Sequence, residues 1–210
     1  GLCRPGGLTD EFMNKEQSDE VNVLSINAAQ LQSNMIFGLY FTGNEVYYGR
    51  IKDAFAPVLT NKIQAVGGEI VGVYYAPDDE SFIEARLKEL VTACADLLIT
   101  TGGMSVDPDD VTRFAIKNFG ATDITYGSAV LPGAMFLVAY LDQDSRPSIP
   151  IIGIPACGMY AKKTIFDLVL PRVLDGEKIG RRELAELGHG GLCLNCEVCK
   201  YPACPFGKGE

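Results

Sequence analysis

The chain has 210 residues, of which 47% are hydrophobic, enough to build the core of one domain of ordinary size. Its 18 Lys and Arg against 27 Asp and Glu leave a net charge of −9, which excludes broad electrostatic binding to nucleic acid or to an anionic membrane surface. The single histidine, His189, excludes a site that needs two histidines and argues against a histidine-based triad. The apolar runs 129–141 and 149–161 are broken by Pro and Gly and are too short to span a bilayer. Residues 1–20 lack the apolar core of a secretory signal, so the chain is expected in the cytoplasm.

Segment 1–34 opens polar and aperiodic and is expected to be a tail or the remnant of a preceding domain. From Met35 the pattern changes. Met35-Ile-Phe-Gly-Leu-Tyr-Phe41 is a continuous apolar run, the mark of a strand buried on both faces. Helical spacing follows from Asp53 through Phe55, Leu59, Ile63 and Val66, with Gly67-Gly68 as its stop. A second strand is expected at 69–75 and a second helix from Pro77-Asp78-Asp79 through Cys94, its acidic start suited to the positive helix end. A third strand at 96–100 leads to a helix beginning near Asp109. Three further strands are expected at 123–126, 134–140 and 148–154. A last helix spans about 159–173, where Pro171 should end or bend it. Strand–helix repeated three times predicts a three-layer α/β/α sandwich on a mostly parallel sheet, spanning 35–175. A Cys-rich tail, 176–210, completes the chain. In such sheets ligands bind beyond the carboxyl ends of the strands, which directs attention to loops 42–53, 101–112 and 155–158.

The stretch Thr101-Gly102-Gly103-Met104-Ser105-Val106-Asp107-Pro108-Asp109-Asp110-Val111-Thr112 is the most informative. Adjacent glycines after a buried strand let the backbone turn and approach a ligand, and a helix start behind them suits a phosphate. Asp107, Asp109 and Asp110 are hard oxygen ligands able to hold Mg²⁺ beside it. The same stretch reads equally as a tight turn with an acidic helix cap. Asp53 is either the cap of the helix it starts or a second carboxylate facing the Asp110 loop.

Seven cysteines are present. Cys3, Cys94 and Cys157 are scattered, but Cys193, Cys196, Cys199 and Cys204 fall in one short stretch. Without a secretory signal such a cluster reads as metal ligation before disulfides, and it suits an Fe–S cluster or Zn²⁺. Segment 188–210 has little periodic apolar patterning. It is expected to lie outside the α/β core and to be ordered by its metal, so its deletion should spare ligand binding.

Several motifs in order resemble the molybdopterin-binding domain shared by the MogA and MoeA proteins of molybdenum-cofactor synthesis. They are Thr-Gly-Asn-Glu at 42–45, Gly-x-Ile-x-Asp at 49–53, Pro-Asp-Asp at 77–79 and Thr-Gly-Gly-Met-Ser at 101–105. Pro-Asp-Asp-Val-Thr at 108–112, Leu-Pro-Gly at 131–133 and Gly-Ile-Pro at 153–155 continue the series. The later segments and the Cys-rich end are most similar to MoeA-like proteins of anaerobes. The resemblance implies a domain that binds molybdopterin, or adenylylated molybdopterin, with Mg²⁺. It places acidic active-site residues at Asp53 and Asp110. It places ligand contacts at Thr42, Gly43, Glu45, Thr101, Gly102, Gly103, Ser105, Asp109, Thr112 and Pro155. It further implies a molybdotransferase-like role with molybdate, a homo-oligomer (dimer or trimer, for which the apolar run 129–141 would supply a surface) and a molybdoenzyme as recipient. CinA-like nucleotide pyrophosphatases share the first and the Gly-Gly motifs. The chain departs from the MoeA pattern at Leu131 and Ala134, where lysines are usual, and at Phe55, Asp107 and Ala156-Cys157-Gly158. Loss of two cations weakens stabilisation of a transition state more than it weakens ligand binding.

Overall fold

The computed structural model describes residues 35–50, 52–104, 110–144 and 146–208. Six strands form one sheet in the order β2-β1-β3-β6-β5-β4. They are β1 (Ile36–Thr42), β2 (Glu69–Ala76), β3 (Leu97–Thr101), β4 (Thr122–Tyr126), β5 (Leu137–Gln143) and β6 (Arg146–Ile154). β2, β1, β3 and β6 run parallel, while β5 is antiparallel to both β6 and β4. The six expected strands are all present, in a sheet more mixed than the alternating pattern alone implies.

Side chains alternate across the sheet and feed two cores. Phe37, Leu39 and Phe41 of β1, Leu97 and Ile99 of β3, and Ile152 and Ile154 of β6 face one side. There they meet α2 (Phe55–Ala65), α5 (Ile165–Leu174) and α6 (Arg181–Glu186). Tyr40, Leu98 and Ile151 face the other side, against α3 (Glu80–Thr92) and α4 (Thr112–Asn118). This is the expected α/β/α sandwich. A short helix, α1 (Asn44–Tyr47), and a 3-10 turn, Ala156–Met159, lie in loops. Among the described residues no helix is long and apolar enough to cross a membrane.

Pro171 neither ends nor visibly shortens α5, which runs on to Leu174. Removing one main-chain donor costs about 3 kcal/mol. The helix holds because Leu168, Val169, Leu170, Val173 and Leu174 on both sides of the proline are buried. Its start is secured by a capping box, Thr164 with Asp167. Asp167 also accepts from Lys62 of α2 at 2.6 Å and from Lys163 at 3.3 Å, with its side chain 8% exposed. One carboxylate thus ties α2 to α5 and caps α5. Asp167→Ala is expected to cost about 3 kcal/mol, since it strands a part-buried ammonium and removes a cap. Urea denaturation checks this.

Most of the run 129–141 lies in the interior, while Leu131 is 53% exposed. Val130, Phe136, Leu137, Val138 and Ala139 are fully buried, because β5 sits between β6 and β4. Most of the apolar run that suggested an oligomer is therefore used in the core.

The tail also departs from expectation. Ile179, Leu184, Leu187 and Phe206 belong to the same buried cluster as β1 and α5, and Cys193, Tyr201 and Cys204 pack against it. Segment 188–208 is fastened onto the sandwich through Phe206, Cys193, Tyr201 and Cys204, while most of its other residues are exposed. The missing signal was contact at long sequence separation: the segment lacks periodicity because its apolar residues reach the core singly.

Candidate functional site

α2, which follows β1, covers one face, and α4, which follows β3, covers the other. The chain therefore leaves adjacent strands in opposite directions, opening a crevice at the carboxyl ends of β1 and β3. Here Thr42 and Thr101, both buried, stand side by side, and the Thr42 hydroxyl donates to the Thr101 carbonyl at 2.9 Å. The Thr42 and Thr112 hydroxyls are 3.3 Å apart. Gly102 and Gly103 follow at φ +80° and +54°. A Cβ on Gly102 would collide with the Thr42 carbonyl and hydroxyl, and one on Gly103 with the Thr112 hydroxyl. The Thr42 and Thr112 hydroxyls and the Thr101 carbonyl thus hold one another against this turn.

Above the turn opens a pocket of about 650 Å³. Its walls include Gly102, Gly103, Asp110 and Pro155 of the expected residues. They also include Phe55, Leu131, Gly133, Ala134, Cys157, Leu192 and Cys193. Leu131 and Ala134 line it directly. Asp110 is the one charged residue among its described walls. The Asp110 Oδ2 atom is buried and has no hydrogen-bond partner among the described residues. A carboxylate oxygen in that state is costly unless something else satisfies it.

Asp53 lies at the same end of the sheet but does not line the pocket. It accepts from the main-chain N–H groups of Phe55 at 2.8 Å and Ala56 at 3.0 Å, and from the Tyr75 hydroxyl at 2.9 Å. Its carboxylate thus holds the first main-chain N–H groups of α2. Burial, then the hydrogen bond to Asp53, pushes the Tyr75 hydroxyl well above its usual range, so it stays a donor. Burial likewise pushes the Cys157 thiol up. Gly43 and Glu45 also stand away from these walls, Glu45 exposed on α1. Ser105, Asp107 and Asp109 lie outside the described residues.

The Leu131 turn and the tail build the outer wall together. Leu131 N donates to the Gly191 carbonyl at 2.7 Å, and Cys193 N donates to the Leu131 carbonyl at 2.8 Å. This bridge sets Leu192 and Cys193 against the pocket, an adjacency with no local trace in the sequence.

An open sheet with a glycine-floored pocket at its switch point defines a small-ligand-binding α/β domain. The chain belongs to the family described as probable molybdopterin binding domain, whose model matches residues 38–175. It is similar to a CinA-like protein of Mycolicibacterium vanbaalenii, 32% identical over 93 residues that cover 44% of this chain and 22% of that protein. The chain thus spans about a fifth of the length of the curated relatives it matches. Its fold is similar to that of the tungsten cofactor synthesizing protein MoaB from Pyrococcus furiosus. The TM-score is 0.56 and the identity 18%, over 68% of this chain and 96% of that one. It is also similar to CinA from Thermoplasma acidophilum, with a TM-score of 0.54 and 15% identity over 68% and 98% of the two chains. At these identities the likeness is one of fold.

Proposed function

We propose that the protein acts in molybdenum-cofactor biosynthesis. It binds the phosphate of molybdopterin, or of its adenylylated form, in the mouth pocket and assists molybdate insertion there. The observation that carries this reading is the Asp110 Oδ2 atom, buried and without a hydrogen-bond partner among the described residues, beside the Gly102-Gly103 turn. A phosphate with Mg²⁺ fits that pair. Mg²⁺ keeps several waters and takes one or two carboxylates plus phosphate oxygens, so a single aspartate suffices on the protein side. Asp110 would hold the cation and the glycine turn would let the backbone close on the phosphate. Asp53 would act indirectly, by fixing the start of α2 and so Phe55 in the pocket wall.

Among the described residues no group of three or more His, Cys, Asp and Glu is placed to hold an ion by protein ligands alone, and a cation shared with a phosphate does not need one. With no Lys or Arg among the described walls, binding is favoured over turnover, and a carrier role is the simplest form of the proposal.

Asp110→Asn is the test. Mg²⁺-dependent affinity for the pterin phosphate, measured anaerobically by calorimetry, is expected to fall at least about tenfold. Stability should stay within about 0.5 kcal/mol or rise, because a buried carboxylate oxygen without a partner among the described residues is replaced by a neutral amide. Unchanged affinity would remove Asp110 from the site.

The 32% identity to a CinA-like protein favours a second reading, a nucleotide pyrophosphatase acting in the same pocket. Release of AMP from an adenosine diphosphate ester that carries no pterin would support it. Saturable pterin binding without such turnover would support the first.

A further inference from the structure

Cys193, Cys196, Cys199 and Cys204 are free thiols, and all four line one pocket of about 260 Å³. The backbone is built to gather them. Gly207 N donates to the Gly190 carbonyl at 2.8 Å, so the two ends of the loop 190–207 meet. Gly190 allows that approach, because a Cβ there would stand 2.6 Å from the Pro205 carbonyl. Phe206, buried in the core, anchors the closed end, and the Cys193–Leu131 main-chain bond anchors the other. Lys162, Lys163 and Lys200 stand around the same pocket. Lys162 bonds the Glu197 carbonyl at 2.9 Å, which holds the loop to the domain.

Such a pocket suits a centre of net negative charge held by thiolates, with lysines to offset it. The order Cys-x2-Cys-x2-Cys-x4-Cys-Pro is close to the run that ligates iron–sulfur clusters in ferredoxins, whose last gap is three. Among the described residues no group of three or more His, Cys, Asp and Glu is close enough to hold one ion, so the loop 190–207 must draw its thiols inward on binding.

We propose that Cys193, Cys196, Cys199 and Cys204 ligate an iron–sulfur cluster. Through Leu192 and Cys193, which line both pockets, the cluster forms the back of the wall of the mouth pocket. The proposal stands on the thiol pocket and does not depend on which ligand the mouth takes.

The test is metal analysis of the full chain purified anaerobically, and again after reconstitution with ferrous iron and sulfide. Iron and acid-labile sulfide are expected in equal amounts, with visible absorption that bleaches on dithionite. Cys199→Ala, a change at an exposed thiol, is expected to lose at least tenfold of that iron while the far-ultraviolet circular dichroism is kept. Cys157→Ala, outside the set, should keep all of it. Zinc without sulfide, iron without sulfide, thiols paired as disulfides, no metal after reconstitution, or a cluster retained by Cys199→Ala would each overturn the proposal.

Discussion

Gly102→Ala is expected to lower stability by about 3 kcal/mol or more and to abolish ligand binding in the mouth pocket. Two costs add. A non-glycine residue in the left-handed region costs about 1–2 kcal/mol, and Gly102 sits at φ +80°. The new methyl would also collide with the carbonyl and hydroxyl of Thr42. Thr42 cannot retreat, since it ends a strand paired on both sides and its hydroxyl is bound to Thr101. The turn must then move, and the pocket floor with it. Gly67→Ala separates the two costs. Gly67 is at φ +75° with nothing within 4 Å of an added Cβ, so only the backbone cost remains. In a chain of this size 3 kcal/mol lowers the melting midpoint by about 10 °C. Thermal denaturation of both variants, with titration of the pterin phosphate, gives the comparison. Equal losses in the two would mean that the contact with Thr42 is slack.

The strands were legible because buried parallel strands are continuous apolar runs, and Met35 to Phe41 or Leu97 to Thr100 can hardly be anything else. α6 was not, because Arg-Arg-Glu-Leu-Ala-Glu turns only Leu184 fully inward and shows no apolar stripe. In the site, Gly102, Gly103, Asp110 and Pro155 were legible because a glycine pair, an acid and a proline after strand ends carry their chemistry in their type. The roles of Thr42, Thr101 and Thr112 were not. A hydroxyl in a motif reads as a ligand contact, and only packing reveals that the Thr42 and Thr112 hydroxyls and the Thr101 carbonyl also meet one another beside the turn. The outer wall was hidden for another reason. Leu131 and Leu192 are far apart in the chain, and a bridge of main-chain bonds, independent of side-chain type, joins them.

That bridge reverses the expectation for the tail. Deletion of residues 188–210 is now expected to abolish binding in the mouth pocket, because it removes Leu192 and Cys193 from the wall and frees Leu131 from its partners. Phe206→Ala tests the same linkage with the chain intact. Phe206 is 4% exposed and packs edge-on to Tyr201, with ring centroids 6.3 Å apart. Truncating a buried phenylalanine costs about 3 kcal/mol from lost transfer energy and the cavity left behind. Here the loss falls on the closure of the loop 190–207, which has few other apolar anchors. The wall should therefore loosen before the sheet does, and affinity for the pterin phosphate should fall about tenfold at temperatures where the core remains folded. Phe82→Ala, at a site 45% exposed on α3, should change neither stability nor affinity measurably. Hydrogen exchange should place the added opening in residues 188–208 and leave β1 and β3 protected. If Phe206→Ala binds the ligand as tightly as the parent protein, the tail is a neighbour of the pocket and not part of it.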